Sequence, residues 1–247
     1  MKTTVAVILV AGVGSRLRPI TDDRPKALVD LGGETILGRA VRLLAEYGVR
    51  RVILATGYRE DAVHAAMQAA RENVELSIEY CKNPEFDRTQ NSVSLALCGS
   101  RVGSEAFFKL DGDLVFQRQV LERLDASSAE LAVAVDDGRM LDAEAMKVSV
   151  SGLSIKAFGK GIALDASAGE SIGIERVARA TAERLFGGLD RTIAAGQTGL
   201  YYEDIYSQLI ASGQLTAEAV SVRDLPWTEV DDFADLERAR ELVRSGA

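Results

Sequence analysis

VAVILVAGVGSRLRPI, residues 5–20, runs an apolar segment straight into two glycines and two arginines. The continuous run 5–10, rich in β-branched residues, predicts a parallel strand covered on both faces. Gly12 and Gly14 follow at once, where side chains would obstruct a close turn, and Arg16 and Arg18 place positive charge just past the strand's carboxyl end. Ligands of open α/β sheets bind at that end, so the pattern points to an anionic ligand.

Working outward, residues 34–47 predict a helix with Ile36, Leu37, Ala40, Leu43 and Leu44 on one face and Gly48 as its stop. A strand is expected at 51–56, a helix at 62–71 and a third strand at 76–80. This β-α-β-α-β order calls for right-handed crossovers and a Rossmann-like, mainly parallel sheet flanked by helices. Residues 82–90 read as a polar loop, with Asn91 or Ser92 capping a short helix through Leu97. AFFKLDGDLVF, 106–116, then sets Asp111 and Asp113 at the end of a hydrophobic strand expected near the sheet's centre.

Beyond Val115 the pattern changes. Short strands at 131–135, 146–150 and 153–158, separated by DDG and SG turns, predict a small antiparallel extension beside the parallel sheet. A helix is expected at 174–186, ended by Gly187 and Gly188, and another at 202–210. A strand closing at 222, the loop PWTEVDD and a helix at 233–243 complete the chain. With no internal repeat and no flexible linker, residues 1–247 read as a single domain.

Composition excludes several classes. Hydrophobic residues make up 47% and charged residues 27%, an ordinary globular balance. A net charge of −8 argues against a general nucleic-acid or anionic-membrane binder. Cys81 and Cys98 have neither the number nor the spacing of a zinc site and read as free thiols. No apolar run approaches the ~20 residues of a spanning helix and no signal peptide is visible, so a cytoplasmic location is expected.

The chemistry concentrates in RLRPITDDRPKAL, 16–28, which carries Arg16, Arg18, Arg24 and Lys26 on a loop stiffened by Pro19 and Pro25. It is neither the dinucleotide fingerprint, since a third glycine is missing, nor a P-loop, since the Gly-Lys-Ser/Thr ending is missing. Loop amides and basic side chains neutralise phosphate oxygens, and apolar Ala27, Leu28 and Val29 should fix the position of Lys26. Phosphoryl transfer also needs alignment of two anionic reactants and usually a divalent metal. Asp113 is a candidate Mg²⁺ ligand, and Asp231 with Glu229 brings further carboxylates from the distant C-terminal part. The sole histidine, His64, sits among alanines in a helical pattern and supports no catalytic triad.

LVAGVGSRLRPITDDRPKAL resembles the signature of the nucleotidyltransferases that activate small phosphorylated metabolites, with Val10 where the usual form has alanine. The likeness extends through LDGD, 110–113, and EVDD, 229–232. QNSVSLAL (90–97), MKV (146–148), GESIGI (169–174) and YYEDIY (201–206) are similar to the phosphocholine and small-phosphonate cytidylyltransferases. The resemblance implies a nucleotide-diphospho-sugar transferase-like fold, with residues 131–222 supplying most of an acceptor lobe. It implies CMP transfer from CTP to an amine-bearing phosphate or phosphonate, of phosphocholine or 2-aminoethylphosphonate type, with Mg²⁺ as cofactor. It gives Gly12, Gly14 and Arg16 to the triphosphate, Lys26 to the reacting phosphates, and Gln90, Asn91 and Ser92 to base and ribose. Asp113, Asp231 and Glu229 become metal ligands; Lys147 faces the acceptor phosphate, and Glu170, Tyr201, Glu203 and Asp204 its other end. A sugar-1-phosphate nucleotidylyltransferase and a catalytically silent nucleotide-binding module are the alternatives, and the antiparallel extension offers a face for a homodimer.

Overall fold

In the computed structural model, which describes residues 2–70 and 75–246, Val5–Leu9 forms strand β1 at the heart of a parallel array. It pairs with β2 (Arg51–Thr56) on one side and β4 (Phe107–Asp111) on the other, while β3 (Ser77–Lys82) pairs with β2. Alternate residues of β1 feed opposite faces: Ala6 and Ile8 join one core, Val5 and Val7 the other. The first core is covered by α1 (Ile36–Tyr47), α2 (Glu60–Ala70) and α5 (Gln119–Ala126). The second is covered by α3 (Asn91–Ala96), the short α4 (Gly99–Val102), α6 (Arg179–Ala194) and α7 (Tyr202–Ala211). Thr35 caps α1 by accepting from the Gly38 amide, and Gly48 ends it. Arg71, the expected end of α2, lies outside the described residues.

The second half is one sheet with the first. β6 (Leu131–Asp136), β7 (Lys147–Ser151), β8 (Ser154–Phe158), β9 (Gly169–Val177) and β10 (Ala217–Ser221) extend it in the order β3-β2-β1-β4-β9-β6-β10-β8-β7. β9 runs antiparallel between β4 and β6, and β6 pairs parallel with β10. The antiparallel extension is thus present and continuous with the parallel sheet: β6 pairs antiparallel with β9, and every residue of β6 is buried.

Two expectations at 174–188 are corrected. Residues 174–177 finish strand β9, because Ile174 and Val177 pair with Leu110 and Phe107 of β4. Helix α6 begins only at Arg179 and continues through Gly187 and Gly188. A Cβ at Gly188 would lie 2.8 Å from Leu209 Cδ1, so this glycine serves the close approach of α7 and does not break the helix. Capping of α3 is also different: Gln90 is the N-cap, while the Ser92 and Asn91 side chains reach across to Leu200 and to Tyr202 at the start of α7.

A two-stranded ribbon, β5 (Leu114–Val115) with β11 (Thr228–Glu229), ties the loop after β4 to the C-terminal segment. Beneath it lies a small third core of Leu17, Val29, Leu31, Ile36, Val115, Val230 and Leu236, the last from α8 (Phe233–Arg244). The basic N-terminal loop and the acidic C-terminal segment are thus fastened to one apolar plug. Leu17, fully buried there, is expected on truncation to Ala to destabilise the protein by about 2–5 kcal/mol. Urea unfolding measures this, and a loss below about 1 kcal/mol would show that the plug does not hold the loop.

Candidate active site

β1 and β4 are neighbours from which the chain continues toward opposite edges of the sheet, to β2 and to β6, and a cavity of about 290 Å³ opens beyond their carboxyl ends. Gly12, Lys26, Gln90, Asn91, Asp111 and Asp113 help to line it. A Cβ on Gly12 would meet no protein atom within 4 Å, so the space beside it is open for a close-lying ligand. Gly14 has a different reason. Its φ of 71° is left-handed, and a Cβ there would fall 2.6 Å from Lys26 Cβ, so only glycine lets the lysine stem lie against the loop. Thr21 Oγ1 donates to the Gly14 carbonyl at 2.8 Å and closes the loop over itself.

Lys26 Nζ stands 2.5 Å from Asp113 Oδ2 and 2.7 Å from Asp231 Oδ1, and Arg16 adds a 2.8 Å contact to Asp231 Oδ2. Burial works against the Lys26 ammonium, but the two aspartates outweigh it and hold its pKa above the usual lysine value. Burial would likewise raise the Asp231 carboxyl, yet Lys26 and Arg16 hold it below the usual range. Glu229 and Asp231 alternate along the chain and so face the same side, whereas Asp232 turns away and caps α8 through the Ala234 and Asp235 amides. The crowded cleft wall and the carboxylates of Asp113 and Asp231 push the Glu229 carboxyl up to about 8, although its side chain is open to the cleft.

Carboxylate oxygens of Asp113, Glu229 and Asp231 all lie within 4.8 Å of one another. Asp113 Oδ1 is buried and lacks a hydrogen-bond partner. Three hard oxygen donors, one of them orphaned, fit a divalent cation of the Mg²⁺ kind, and the cluster can coordinate one.

A second cavity, also about 290 Å³, shares Asn91, Asp111, Asp113 and Glu229 with the first. Glu170, Tyr201 and Glu203 line it, as do Arg16, Arg139, Lys160 and Trp227. The Trp227 Nε1–H donates to Asp136 Oδ2 at 2.8 Å and anchors the β11 segment to β6. Four sequence candidates stand back from both cavities: Gly14, whose role in the loop is given above, and three whose side chains are engaged elsewhere. Lys147 donates to the carbonyls of Ala145 and Lys160, its ammonium turned into the wall. Asp204 accepts from the Tyr201 amide and closes the start of α7. Ser92 donates to the Leu200 carbonyl at 2.7 Å, and the neighbouring Asn91 Oδ1 accepts from the Tyr202 amide, so these two join α3 to α7.

Beneath the second cavity lies a buried network that the sequence motifs do not mark. Lys109, opposite Glu175 in the β4–β9 register, is wholly buried; its Nζ lies 3.1 Å from Asp111 Oδ1 and 3.2 Å from Glu175 Oε2. The Nζ also sits 3.5 Å from the centre of the Tyr202 ring, whose hydroxyl donates to Asp111 Oδ2 at 2.8 Å. Gly173 makes room for this carboxylate: at φ 76° it points where a Cβ would fall 2.3 Å from Asp111 Oδ2. The available signal was a lysine inside FFKLD, a charge at a position that strand burial makes costly unless it is paired. His64 lies away from both cavities, stacked on Tyr80, and among the described residues no helix is long and apolar enough to cross a membrane.

Comparison with known proteins agrees with this architecture. The MobA-like NTP transferase domain model matches residues 6–230. The CMP-5'-(3-aminopropyl)phosphonate synthase of Streptomyces rubellomurinus is 33% identical over 251 residues, covering 95% of this chain and 38% of that protein. A mannose-1-phosphate guanyltransferase of Aspergillus fumigatus is 36% identical over 110 residues, covering 44% of this chain and 30% of that protein. The chain thus spans well under half the length of these curated relatives. The same fold occurs in the inositol-1-phosphate CTP transferase of T. maritima, with a TM-score of 0.82 at 22% identity over 99% of this chain and 96% of that one. It occurs again in the CTP:phosphocholine cytidylyltransferase of Streptococcus pneumoniae, with a TM-score of 0.73 at 19% identity over 98% of this chain and 100% of that one. With the family model spanning residues 6–230, the chain belongs to the MobA-like NTP transferase domain family, within the nucleotidyltransferase superfamily.

Proposed function

We propose that this chain transfers CMP from CTP to a small amine-bearing phosphate or phosphonate and releases pyrophosphate. The observation that carries the reading is the meeting of two cavities at a carboxylate cluster braced by Lys26. One cavity takes the nucleotide beside Gly12, Gln90 and Asn91, with Gly14 shaping the loop behind it; the other takes the acceptor beside Glu170, Tyr201 and Glu203. The near-full-length alignment of this chain with the aminopropylphosphonate relative supports CMP as the transferred group and an amine on the acceptor.

An anionic oxygen of the acceptor attacks the α-phosphorus in line, forming one P–O bond as the bond to the pyrophosphate oxygen breaks. The attacking oxygen arrives ionised, so neither a general base nor a protein nucleophile is required, in keeping with the absence of histidine from both cavities. Lys26 and Arg16 offset negative charge on the phosphates as it redistributes. Asp113, Asp231 and Glu229 would hold Mg²⁺, which when bound neutralises triphosphate charge and helps to align it. In this reading Lys147 and Asp204 keep the acceptor wall in place, Lys147 through carbonyls and Asp204 through the α7 start.

The deciding experiment assays four NTPs against phosphocholine, aminoethylphosphonate, phosphoethanolamine and sugar phosphates with Mg²⁺, following pyrophosphate. A dominant CTP column with amine-bearing acceptors is expected; transfer confined to sugar phosphates would replace the acceptor assignment. Lys26→Ala and Asp113→Asn should each lower kcat by about 10²–10³-fold with circular dichroism unchanged, and near-native turnover in either would remove that residue from the chemistry. Chelation with EDTA should abolish pyrophosphate release and added Mg²⁺ restore it; activity that survives exhaustive chelation would contradict the metal assignment.

A further inference from the structure

Resting on the nucleotidyl-transfer reading, the second cavity permits a narrower statement. We infer that its acceptor carries a protonated primary amine held by the Glu203 carboxylate, and not a quaternary ammonium. Glu203 lines the cavity yet is only 5% exposed, and its Oε2 is buried with no hydrogen-bond partner. A buried carboxylate oxygen left in that state is costly, and a ligand N–H donor removes the cost.

Charge balance points the same way. Lys109 is the buried cation facing Asp111 and Glu175, with Glu203 close enough to feel its charge. Burial, together with the carboxylates of Asp111 and Glu175, pushes Glu203 up to about 8 against the pull of Lys109. Without a ligand Glu203 therefore keeps its proton near neutral pH, and a docked ammonium ion favours its release and completes the charge set.

The form of that cation follows from the aromatic groups. A quaternary ammonium has no N–H to donate and is recognised by aromatic faces, whereas a primary ammonium brings three donors. The aromatic side chains lining this cavity are Tyr201 and Trp227. Arg139 lies over the Trp227 ring at 4.5 Å and Lys160 over the Tyr201 ring at 5.7 Å, so each ring already has a protein cation against it. An unpartnered carboxylate oxygen with no vacant aromatic cage selects a hydrogen-bonding ammonium. Arg16, lining the same cavity beside Asp231, supplies positive charge for the anionic head.

The test compares kcat/KM for 2-aminoethylphosphonate, phosphoethanolamine, phosphocholine and ethylphosphonate with CTP and Mg²⁺. Both primary amines should exceed phosphocholine and ethylphosphonate by at least tenfold, and the better of the two tells a phosphonate from a phosphate ester. A preference below tenfold over phosphocholine or over ethylphosphonate overturns the inference while leaving CMP transfer standing. No pyrophosphate release with any acceptor and any NTP removes the underlying reading instead. In Glu203→Gln the ratio of KM for ethylphosphonate to KM for the preferred amine should fall at least tenfold, and Glu203→Asp should restore part of it. Glu203 acting only in packing would shift both KM values together and leave the ratio intact, which would equally overturn the proposal. Should Glu203→Gln fail to fold, the acceptor comparison on the unaltered protein decides.

Discussion

The Lys26 ammonium between Asp113 and Asp231 is the contact on which the site's geometry turns. It joins three remote pieces of chain: the basic loop after β1, the turn after β4 and the segment before α8. Two carboxylates within 4.8 Å repel by about 3 kcal/mol at an effective dielectric near 20, so a cation must stand between them for the ribbon to close. In this structure Lys26 is that cation. Its stem is pressed on Gly14 and held, while its head is partly open to the cleft.

Backbone topology makes that contact available before any side chain is considered. The β5–β11 ribbon and the Val230 amide donating to the Asp113 carbonyl at 2.9 Å bring the acidic segments into register. Gly112 allows the turn after β4 to ride on β1, since a Cβ there would lie 2.4 Å from the Leu9 carbonyl. Inserting antiparallel β9 beside β4 then sets Glu175 opposite Lys109 and leaves Glu170 at the far end of the same strand, on the cavity wall. One strand therefore serves both the buried network and the wall of the second cavity.

How much of this was legible in the sequence depends on the range of the signal. Local signals carried far: the apolar run of β1, the stop at Gly48 and the period of α1 place the parallel half within a residue or two. The acidic segments were legible as well, because LDGD and EVDD put carboxylates next to strand ends. Residues 174–177 were not, since Ile174 and Val177 suit a helix or a strand until β4 is known to lie beside them. Gly187 and Gly188 resembled a helix stop because the helix against which Gly188 packs is not visible in local sequence. Lys147, Asp204 and Ser92 have the right chemistry for ligand contacts, but backbone groups, from their own or other segments, claim their side chains. Lys109 was overlooked for the converse reason: its importance lies in partners 66 residues away, as with Glu175.

Asp111 and Asp113 are two residues apart, yet the fold gives them opposite mechanical characters. Asp111 is held by Lys109 and by the Tyr202 hydroxyl, with Gly173 shaped to receive it, so its carboxylate has little freedom to move. Asp113 spends one oxygen on Lys26 and leaves the other without a partner. A rigid carboxylate beside an unsatisfied one suits a site in which charge must change hands. The first keeps the wall between the two cavities in place, and the second stays available for a cation. Because both functions depend on the register of β4, a slip of a single residue would turn Asp111 to the opposite face, away from its partners, and draw Asp113 out of the cleft.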